Sequence, residues 1–421
     1  MIKQLGVYPY FRAISASEGR EVVSHGRARV MIGSNNYLGL THHPRVQAAA
    51  IRASERYGTG CTGSHFLNGN LEIHEELEQK MAAFLKKESC LVFSTGFLAN
   101  LGTISCLVGR NDVIFSDREN HASIVEGTRA TQADVFRFRS GDMDALENQL
   151  RSERHKYLGA MIVTDGVFSM SGRIADLPGI RRLADEYHCR IYLDDAHSTG
   201  VLGEGARGTE EYYENLGNAA EADIVMGTFS KSFATLGCFV AGESKVIDFI
   251  RHKARSFIFS AAMSPPAVAT VLECLELIQE DRSFLDRLWT NTRRMQRELF
   301  AMGFDTVGSQ TPIVPLLIGS SMSAFSFSPR LYEHGVFSTP VVSPAVPEGR
   351  ALIRTSYMAT HTDEDLDYCL RTLGSLGEEF GLIRSQRVGL NGGHRHSEKF
   401  QSVISPGAVA NGDGEAIEEF V

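Results

Sequence analysis

The stretch Gly-Thr-Phe-Ser-Lys-Ser-Phe-Ala-Thr-Leu-Gly at residues 227–237 places one lysine, Lys231, among hydroxyl-bearing and small side chains. It follows a β-rich run, Ala222–Met226, so the lysine is expected just beyond the end of a strand. Small neighbours let a flat ring approach the backbone, and hydroxyls such as that of Thr228 can hold a phosphate. An amine in this setting can form a Schiff base with an aldehyde cofactor such as pyridoxal phosphate. Taken alone, such a segment is more often a surface loop with an ordinary lysine.

A second segment, Ile191–His197, begins as a buried strand and ends in two carboxylates and a histidine. In open α/β sheets, ligands bind at the carboxyl ends of the strands. Because side chains alternate along a strand, only one of Asp194 and Asp195 can reach a given ligand. A buried carboxylate at this point can pair with a pyridinium nitrogen and keep it protonated. The alternative is structural, with Asp195 as a helix cap and His197 as a core histidine.

Other predicted strands also end in polar segments that contain glycine. After the strand Ser89–Phe93, the turn Ser94–Asn100 offers helix N-terminal N–H groups that suit a phosphate. His121 follows the next predicted strand and could stack on a flat cofactor, and Ser169 follows a third and could bond a phenolic oxygen. Each segment alone is more often structural. Four polar strand ends together favour a ligand site.

Alternation of strand-like and helical runs predicts a mostly parallel sheet with helices on both faces, an α/β fold. A smaller α+β domain of different composition follows a predicted long helix, Pro266–Leu299, and includes a predicted helix, Ser328–His334. The predicted organisation is an N-terminal arm (1–40), a large domain (41–280), a small C-terminal domain (281–384) and a disordered tail (385–421).

Composition narrows the class of protein. The chain has 421 residues, 43% hydrophobic and 22% charged, which is ordinary for a soluble globular protein of two domains, or of one large domain with appendages. Its net charge of −9 argues against a general nucleic-acid binder. No stretch approaches the about 20 apolar residues of a membrane span. Seven scattered cysteines without a Cys-x-x-Cys pair favour a reduced, cytoplasmic protein without a metal site.

These segments together resemble the α-oxoamine synthases, pyridoxal-phosphate enzymes of the aspartate-aminotransferase-like fold (fold type I), over about residues 1–384. The resemblance is carried by Tyr8–Arg12, Gly33–Leu40, Gly58–Gly69, Asp194–His197, Gly227–Ser232 and Pro340–Pro347. The aromatic Tyr8–Arg12 motif and Met358–Thr362 favour the bacterial branch that joins L-serine to palmitoyl-CoA. There are departures: His65 stands where the family commonly has arginine, and Cys238 replaces a usual glycine.

The resemblance implies a role for each matched residue. Lys231 would carry the cofactor and act as acid and base at the substrate Cα. The other cofactor contacts implied are Asp194 (ring nitrogen), His197 and Ser169 (phenolic oxygen), His121 (ring face, and orientation of the substrate carboxylate), Gly96, Phe97 and Thr228 (phosphate), and Ser260 with Ala261 (phosphate of the neighbouring subunit). The amino-acid carboxylate would meet Arg354 and Asn36.

The implied reaction is the decarboxylating Claisen condensation of L-serine with palmitoyl-CoA, giving 3-ketodihydrosphingosine, the first step of sphingolipid synthesis. It implies a homodimer with active sites at the subunit interface, no metal and no nucleic-acid partner. Rival interpretations are glycine or alanine as substrate, an acyl group on a carrier protein, an aminotransferase, or a non-catalytic subunit, which should have lost Lys231. The aromatic segment Tyr8–Phe11 is compatible with a transient contact with a membrane. It is equally compatible with packing in the core or at the dimer interface.

Overall fold

A computed structural model describes residues 7–383 of the chain. Its strands, in chain order, are β1 Ala16–Ser17, β2 Glu21–Ser24, β3 Arg27–Met31, β4 Ser89–Phe93, β5 Asp112–Asp117, β6 Asp134–Phe138, β7 Gly159–Asp165, β8 Arg190–Asp194, β9 Ile224–Thr228, β10 Cys238–Gly242, β11 Ile313–Gly319, β12 Val336–Phe337, β13 Thr339–Val341 and β14 Ala351–Ser356. Its α-helices are α1 Pro44–Tyr57, α2 Glu72–Leu85, α3 Gly96–Leu107, α4 Ala122–Arg129, α5 Met143–Glu153, α6 Leu177–Glu186, α7 Thr209–Asn215, α8 Ser244–Lys253, α9 Arg255–Ile258, α10 Pro265–Glu280, α11 Ser283–Met302, α12 Ser321–Glu333 and α13 Asp363–Glu379.

Seven strands form the central sheet, in the order β4-β10-β9-β8-β7-β5-β6. All run parallel except β10, which is antiparallel to both of its neighbours. Side chains alternate between two apolar cores: on β8, Ile191 and Leu193 enter one core and Tyr192 enters the other. A sheet buried on both faces needs helices on both sides. The predicted α/β architecture is therefore confirmed.

A second sheet lies in the C-terminal part of the described residues. Strands β11, β14 and β13 are antiparallel, and with α12 and α13 they enclose a separate core that includes Phe327, Tyr357 and Leu373. The N-terminal hairpin β2–β3 joins this part, because β3 pairs in parallel with β12. The domain boundaries at 40 and 280 stay predictions. The predicted tail, 385–421, lies outside the described residues.

Two helix predictions were wrong in their bounds. The helix predicted over Pro266–Leu299 is two helices, because Asp281 takes an extended conformation and its carboxylate accepts the Ser283 N–H at 2.8 Å, starting α11. The helix predicted over Ser328–His334 begins seven residues earlier, at Ser321. There the Ser320 hydroxyl accepts the Ser323 N–H at 3.0 Å. Pro329 lies inside the helix, although a proline there lacks the N–H for one helical hydrogen bond.

The aromatic arm lies against the C-terminal part. The Tyr10 hydroxyl donates to the Pro340 carbonyl at 3.4 Å, and its ring lies edge-on to Phe325. Phe11 alone is almost fully exposed, at 95%. Within residues 7–383, no helix has the length and apolar character of a membrane span, and no group of three or more His, Cys, Asp or Glu side chains could hold a metal ion.

Candidate active site

Lys231 lies in the loop between β9 and β10, two buried antiparallel strands. Two backbone hydrogen bonds close this loop: the Phe229 N–H donates to the Gly237 carbonyl at 2.8 Å, and the Thr235 N–H donates to the Phe229 carbonyl at 3.0 Å. The loop also sits at the carboxyl end of β9, the edge of the sheet where β7 and β8 end. Lys231 is thus held at the ligand-binding edge by a short hairpin.

The environment of Lys231 favours the neutral amine. Burial lowers its pKa to about 7; the carboxylate of Asp194 opposes this shift, Arg354 assists it, and Asp165 opposes it. Ammonium is not nucleophilic, whereas the free amine attacks aldehydes. A lysine with this pKa is therefore reactive near neutral pH.

This lowered pKa predicts how the protein takes up an aldehyde. Because the amine is neutral above its pKa, the rate of covalent uptake of pyridoxal phosphate by the cofactor-free protein should rise with pH through about 7 and then level off. Stopped-flow absorbance across that range measures it. A rate that keeps rising up to the ordinary lysine pKa of about 10.4 would contradict the prediction.

The two adjacent carboxylates point to opposite sides of β8. Asp194 accepts from the Asn100 amide at 2.7 Å and from the Ala196 N–H at 3.1 Å. Asp195 faces away and accepts from the Thr209 N–H at 2.9 Å and the Thr209 hydroxyl at 2.5 Å. Burial raises the pKa of Asp195 to about 6, opposed by these hydrogen bonds. Strand alternation therefore leaves Asp194 as the carboxylate on the Lys231 side.

Asn100, on α3, connects Asp194 to His121. Its Nδ2 group donates to Asp194 Oδ2 at 2.7 Å and to the Ser123 hydroxyl at 2.8 Å, while its Oδ1 accepts from Tyr192 at 2.7 Å. The Ser123 hydroxyl lies 2.7 Å from His121 Nδ1. His121 itself is the N-cap residue of α4. Two of the predicted site residues are therefore joined through a buried amide.

His197 and Arg354 meet through a tyrosine. The Tyr37 hydroxyl lies 2.7 Å from His197 Nδ1, and Arg354 Nη2 approaches the same hydroxyl at 3.5 Å. Arg354 Nε donates to the Ser169 carbonyl at 2.7 Å. Burial lowers the pKa of His197 well below its usual value, assisted by the positive charges of Lys231 and Arg354. The structure thus brings together His197, Ser169 and Arg354 from three distant segments.

Asn36 directly precedes Tyr37 in the chain. Its amide Nδ2 donates to the Thr41 hydroxyl at 2.9 Å, and its Oδ1 is buried without a hydrogen-bond partner among the described residues. A buried polar atom without a partner costs free energy of about 1–3 kcal/mol unless a ligand or water satisfies it. Asn36 is therefore suited to meet a polar ligand.

The start of α3 lies next to the end of β9. A Cβ on Gly96 would come within 3.3 Å of Met226 and 3.7 Å of the Thr228 hydroxyl. That hydroxyl is 2.8 Å from the hydroxyl of Ser230. The N–H groups of the first helical turn, including those of Gly96 and Phe97, have no partner within the helix. Free N–H groups and hydroxyls together make an anion site.

Ser260 and Ala261 lie in the segment between α9 and α10, close to the same turn of the same chain. The Ser94 hydroxyl donates to the Ala261 carbonyl, and the Ala262 N–H donates to the Gly63 carbonyl at 2.9 Å. The loop Gly58–Gly69, called the glycine-rich loop below, is therefore hydrogen-bonded to the segment 260–262 beside the anion site. Their contact with a neighbouring subunit stays a prediction.

His65 is packed as an aromatic ring in this loop. It stacks on Phe257 with ring centroids 4.9 Å apart and lies edge-on to His74 at 4.6 Å. Its Nδ1 is 2.9 Å from Asn70 Oδ1. Burial lowers the pKa of His65, with the Asn70 hydrogen bond opposing and the Arg251 charge assisting. The ring is therefore neutral at pH 7, unlike the arginine common in the resembling family.

Three residues near the site were not predicted from the sequence: Asn100, Tyr37 and Asp165. Asn100 closes the turn that includes Gly96, and Tyr37 follows Asn36. Asp165 pairs in register with Asp194 on the neighbouring strand, and burial and the charge of Asp194 raise its pKa well above its usual value. Strand alternation on β7 could have singled out Asp165, which points to the same side as its registered neighbour.

The arrangement fits pyridoxal phosphate. Within one edge of the sheet it offers an amine with a pKa of about 7, a helix N-terminus with hydroxyls for a phosphate, and a buried carboxylate for a ring nitrogen. The Arg354 guanidinium, next to Tyr37 and His197, adds a cation for a substrate carboxylate. This is the constellation expected for chemistry at the α-carbon of an amino acid.

Comparisons with known proteins cover most of the chain. The family model for aminotransferases of class I and II matches residues 29–373. A serine palmitoyltransferase of Bacteriovorax stolpii is 48% identical over 382 residues, 91% of this chain and 90% of that protein. An 8-amino-7-oxononanoate synthase of Thermoanaerobacter pseudethanolicus is 42% identical over 382 residues, 91% of this chain and 96% of that protein. The solved serine palmitoyltransferase of S. paucimobilis with a bound PLP–myriocin aldimine matches with a TM-score of 0.87 and 32% identity, covering 91% of this chain and 96% of that chain.

Proposed function

Since the chain belongs to the class I and II aminotransferase family and, within it, to the α-oxoamine synthases, we propose that it joins L-serine to palmitoyl-CoA. The proposed products are 3-ketodihydrosphingosine, CO2 and CoA, in the first step of sphingolipid synthesis. The family and the enzyme class, a pyridoxal-phosphate acyltransferase, rest on the comparisons above. The preference for L-serine rests on the higher identity to the serine palmitoyltransferase than to the 8-amino-7-oxononanoate synthase.

Pyridoxal phosphate supplies an electron sink for the electron pair left at the amino-acid Cα. We assign its aldehyde carbon to Lys231. The remaining assignments are the ring nitrogen to Asp194, the phenolic oxygen to His197 and Ser169, the ring face to His121, and the phosphate to Gly96, Phe97 and Thr228, with Ser260 and Ala261 of the neighbouring subunit.

Arg354 is the proposed partner of the serine carboxylate. In the structure its Nε and Nη2 groups are engaged by the Ser169 carbonyl and the Tyr37 hydroxyl, which fixes the plane of the guanidinium. A guanidinium has five N–H donors, so others remain for a carboxylate. Asn36, the second proposed partner, can donate to a carboxylate only through its Nδ2 group, which bonds the Thr41 hydroxyl in the structure. Held in this way, the carboxylate is oriented before it leaves as CO2.

Lys231 is the proposed acid and base at Cα. With a pKa of about 7, its amine can accept the Cα proton and return it near neutral pH. The Cα electron pair then attacks the thioester carbonyl carbon, the C–S bond breaks, and CoA leaves as the thiolate. Loss of the carboxylate as CO2 leaves a second electron pair at Cα, and a proton from Lys231 completes the amino ketone.

A homodimer is proposed from the surface around the site. Phe66, Leu67, Phe97, Leu236 and Phe259 have exposed fractions between 46% and 80% in the single chain, and they lie in or next to the glycine-rich loop, the Lys231 hairpin, the anion site and the 260–262 segment. Exposed apolar clusters of this kind mark interfaces. Light scattering at micromolar concentration should give twice the mass of one chain, and a single-chain mass would contradict the proposal.

The deciding experiment for the substrates is a panel of amino acids and thioesters. The holoprotein is titrated with L-serine, glycine and L-alanine while the cofactor absorbance is followed, and CO2 and CoA release are then measured with palmitoyl-CoA and with palmitoyl bound to carrier protein. L-Serine with palmitoyl-CoA is expected to give the highest kcat/KM and a product with the mass of 3-ketodihydrosphingosine. Higher kcat/KM with L-alanine or with the carrier-bound acyl group would assign the chain to another member of the family. Amino transfer that depends on a keto acid, without CO2 release, would make it an aminotransferase.

A further inference from the structure

Every hydrogen-bonding group of the Asn100 amide is used inside the protein. The residue is fully buried on α3. Its Nδ2 group donates to Asp194 and Ser123, and its Oδ1 accepts from Tyr192, at distances of 2.7 to 2.8 Å. Few amides in a protein have such a complete set of side-chain partners, because most side-chain hydrogen bonds go to the backbone or to water.

The chemistry of these partners fixes the direction of each bond. An ionised carboxylate only accepts, so the amide must turn its NH2 group toward Asp194. The second N–H then points at the Ser123 oxygen, which leaves the Ser123 proton free to point at His121 Nδ1, 2.7 Å away. The Ser123 backbone N–H also faces that nitrogen, at 3.3 Å. An atom that faces two donors is an acceptor, so neutral His121 carries its proton on Nε2.

The charges around His121 agree with this assignment. Burial lowers its pKa, the charge of Asp194 opposes the shift and that of Lys231 assists it. The other titratable groups near this part of the site are Asp165 on β7 and His197 after β8. An imidazolium here would need a proton on the nitrogen that already faces two donors. The neutral ring with its proton on Nε2 is the form that the contacts of Nδ1 stabilise.

We propose that Asn100 is a positioning residue that fixes, through one amide, both the orientation of the Asp194 carboxylate and the Nε2–H tautomer of His121. The proposal rests on the proposed roles of Asp194 and His121 toward the cofactor. Asp194, the proposed partner of the ring nitrogen, and His121, proposed to lie over the ring, are then coupled through one side chain. Loss of Asn100 should therefore disturb both, whereas loss of Ser123 should disturb only the histidine.

The test compares Asn100→Leu with Ser123→Ala and with a matched control, Asn291→Leu. Asn291 is also buried, on α11, and its amide donates to the carbonyls of Met358 and His361 at 2.9 and 3.0 Å, neither of which is assigned to the cofactor. Asn100→Leu removes a donor to a charged group and is expected to weaken pyridoxal phosphate binding by about 10- to 100-fold, with a fall in kcat of the same order. Asn291→Leu should lower the thermal midpoint and leave the cofactor affinity within about twofold.

Ser123→Ala separates the two arms of the proposal. Without the Ser123 hydroxyl, the imidazolium form of His121 is less disfavoured, so its pKa rises toward the ordinary value of about 6.5. The acid limb of the profile of kcat/KM against pH should therefore move to higher pH, while the cofactor affinity stays within about threefold of wild type. A limb that does not move would overturn the tautomer assignment.

Asn100→Asp provides a second variant if the leucine protein does not fold. It places a carboxyl group 2.7 Å from Asp194, and two such carboxyls must share a proton. Relative to wild type at the same pH, its cofactor affinity should be retained at acid pH and lost as pH rises. The proposal is wrong if Asn100→Leu binds pyridoxal phosphate as wild type does, or loses no more affinity than Asn291→Leu. The cofactor titrations of Asn100→Leu, Asn100→Asp and Asn291→Leu contain no serine and no thioester, so they stand even if the proposed substrates are wrong; the pH profile of Ser123→Ala depends on turnover.

Discussion

Replacing Lys231 with alanine is expected to abolish turnover, by about 10⁴-fold or more. The substitution removes the amine to which we assign both the aldehyde carbon and the proton transfer at Cα, and both proposed roles depend on its position in the β9–β10 hairpin. The absorbance of the covalently held cofactor should disappear from the purified protein. Release of CoA and CO2, measured with saturating L-serine and palmitoyl-CoA, should fall to background.

Lys253→Ala is the matched control for this result. Lys253 is an exposed residue at the end of α8, outside the proposed site, and its loss should leave both the absorbance and the turnover unchanged. If the Lys231→Ala protein keeps the covalent absorbance and the CoA release, the assignment of Lys231 is wrong.

Asp194→Asn is expected to lower kcat by about 10²- to 10³-fold. The asparagine keeps the shape of the side chain but loses the charge that would keep the ring nitrogen protonated. It also turns a carboxylate that accepts from Asn100 at 2.7 Å into an amide with its own N–H groups to satisfy. Single-turnover kinetics with L-serine measure the loss at the proton-transfer step.

The neighbouring carboxylate is the natural comparison. Asp195→Asn removes a charge from the opposite side of β8, where the partner is Thr209. It is expected to lower the free energy of unfolding by about 1–3 kcal/mol and to leave kcat within a few-fold of wild type. Equal losses of kcat in the two variants would contradict the placement of Asp194 as the carboxylate that faces the cofactor.

Local sequence patterns predicted those candidate site residues that directly follow the predicted strands. A β-rich run followed by polar residues places Asp194 and Lys231 at one edge of the sheet, because parallel strands end together. Alternation along β8 also separates Asp194 from Asp195. The family resemblance added Arg354, which no local pattern marks, since it lies within a strand of the second sheet.

The contacts between distant segments could not be predicted in this way. The bond between Tyr37 and His197 spans 160 residues, and that from Arg354 to the Ser169 carbonyl spans 185. Such pairs depend on how the N-terminal and C-terminal parts fold against the central sheet, which no local pattern encodes. The break between α10 and α11 was missed for a different reason: the apolar periodicity continues across it, and the carboxylate of Asp281 alone starts the new helix.

The hairpin that carries Lys231 has a kinetic consequence. Its ends are fixed by two buried strands, and its backbone is closed by the bonds between Phe229, Gly237 and Thr235. In the proposed reaction, the Lys231 amine, once released from the cofactor, would therefore stay at a high effective concentration within the site. Its return after product release would be an intramolecular step that needs no movement of the backbone.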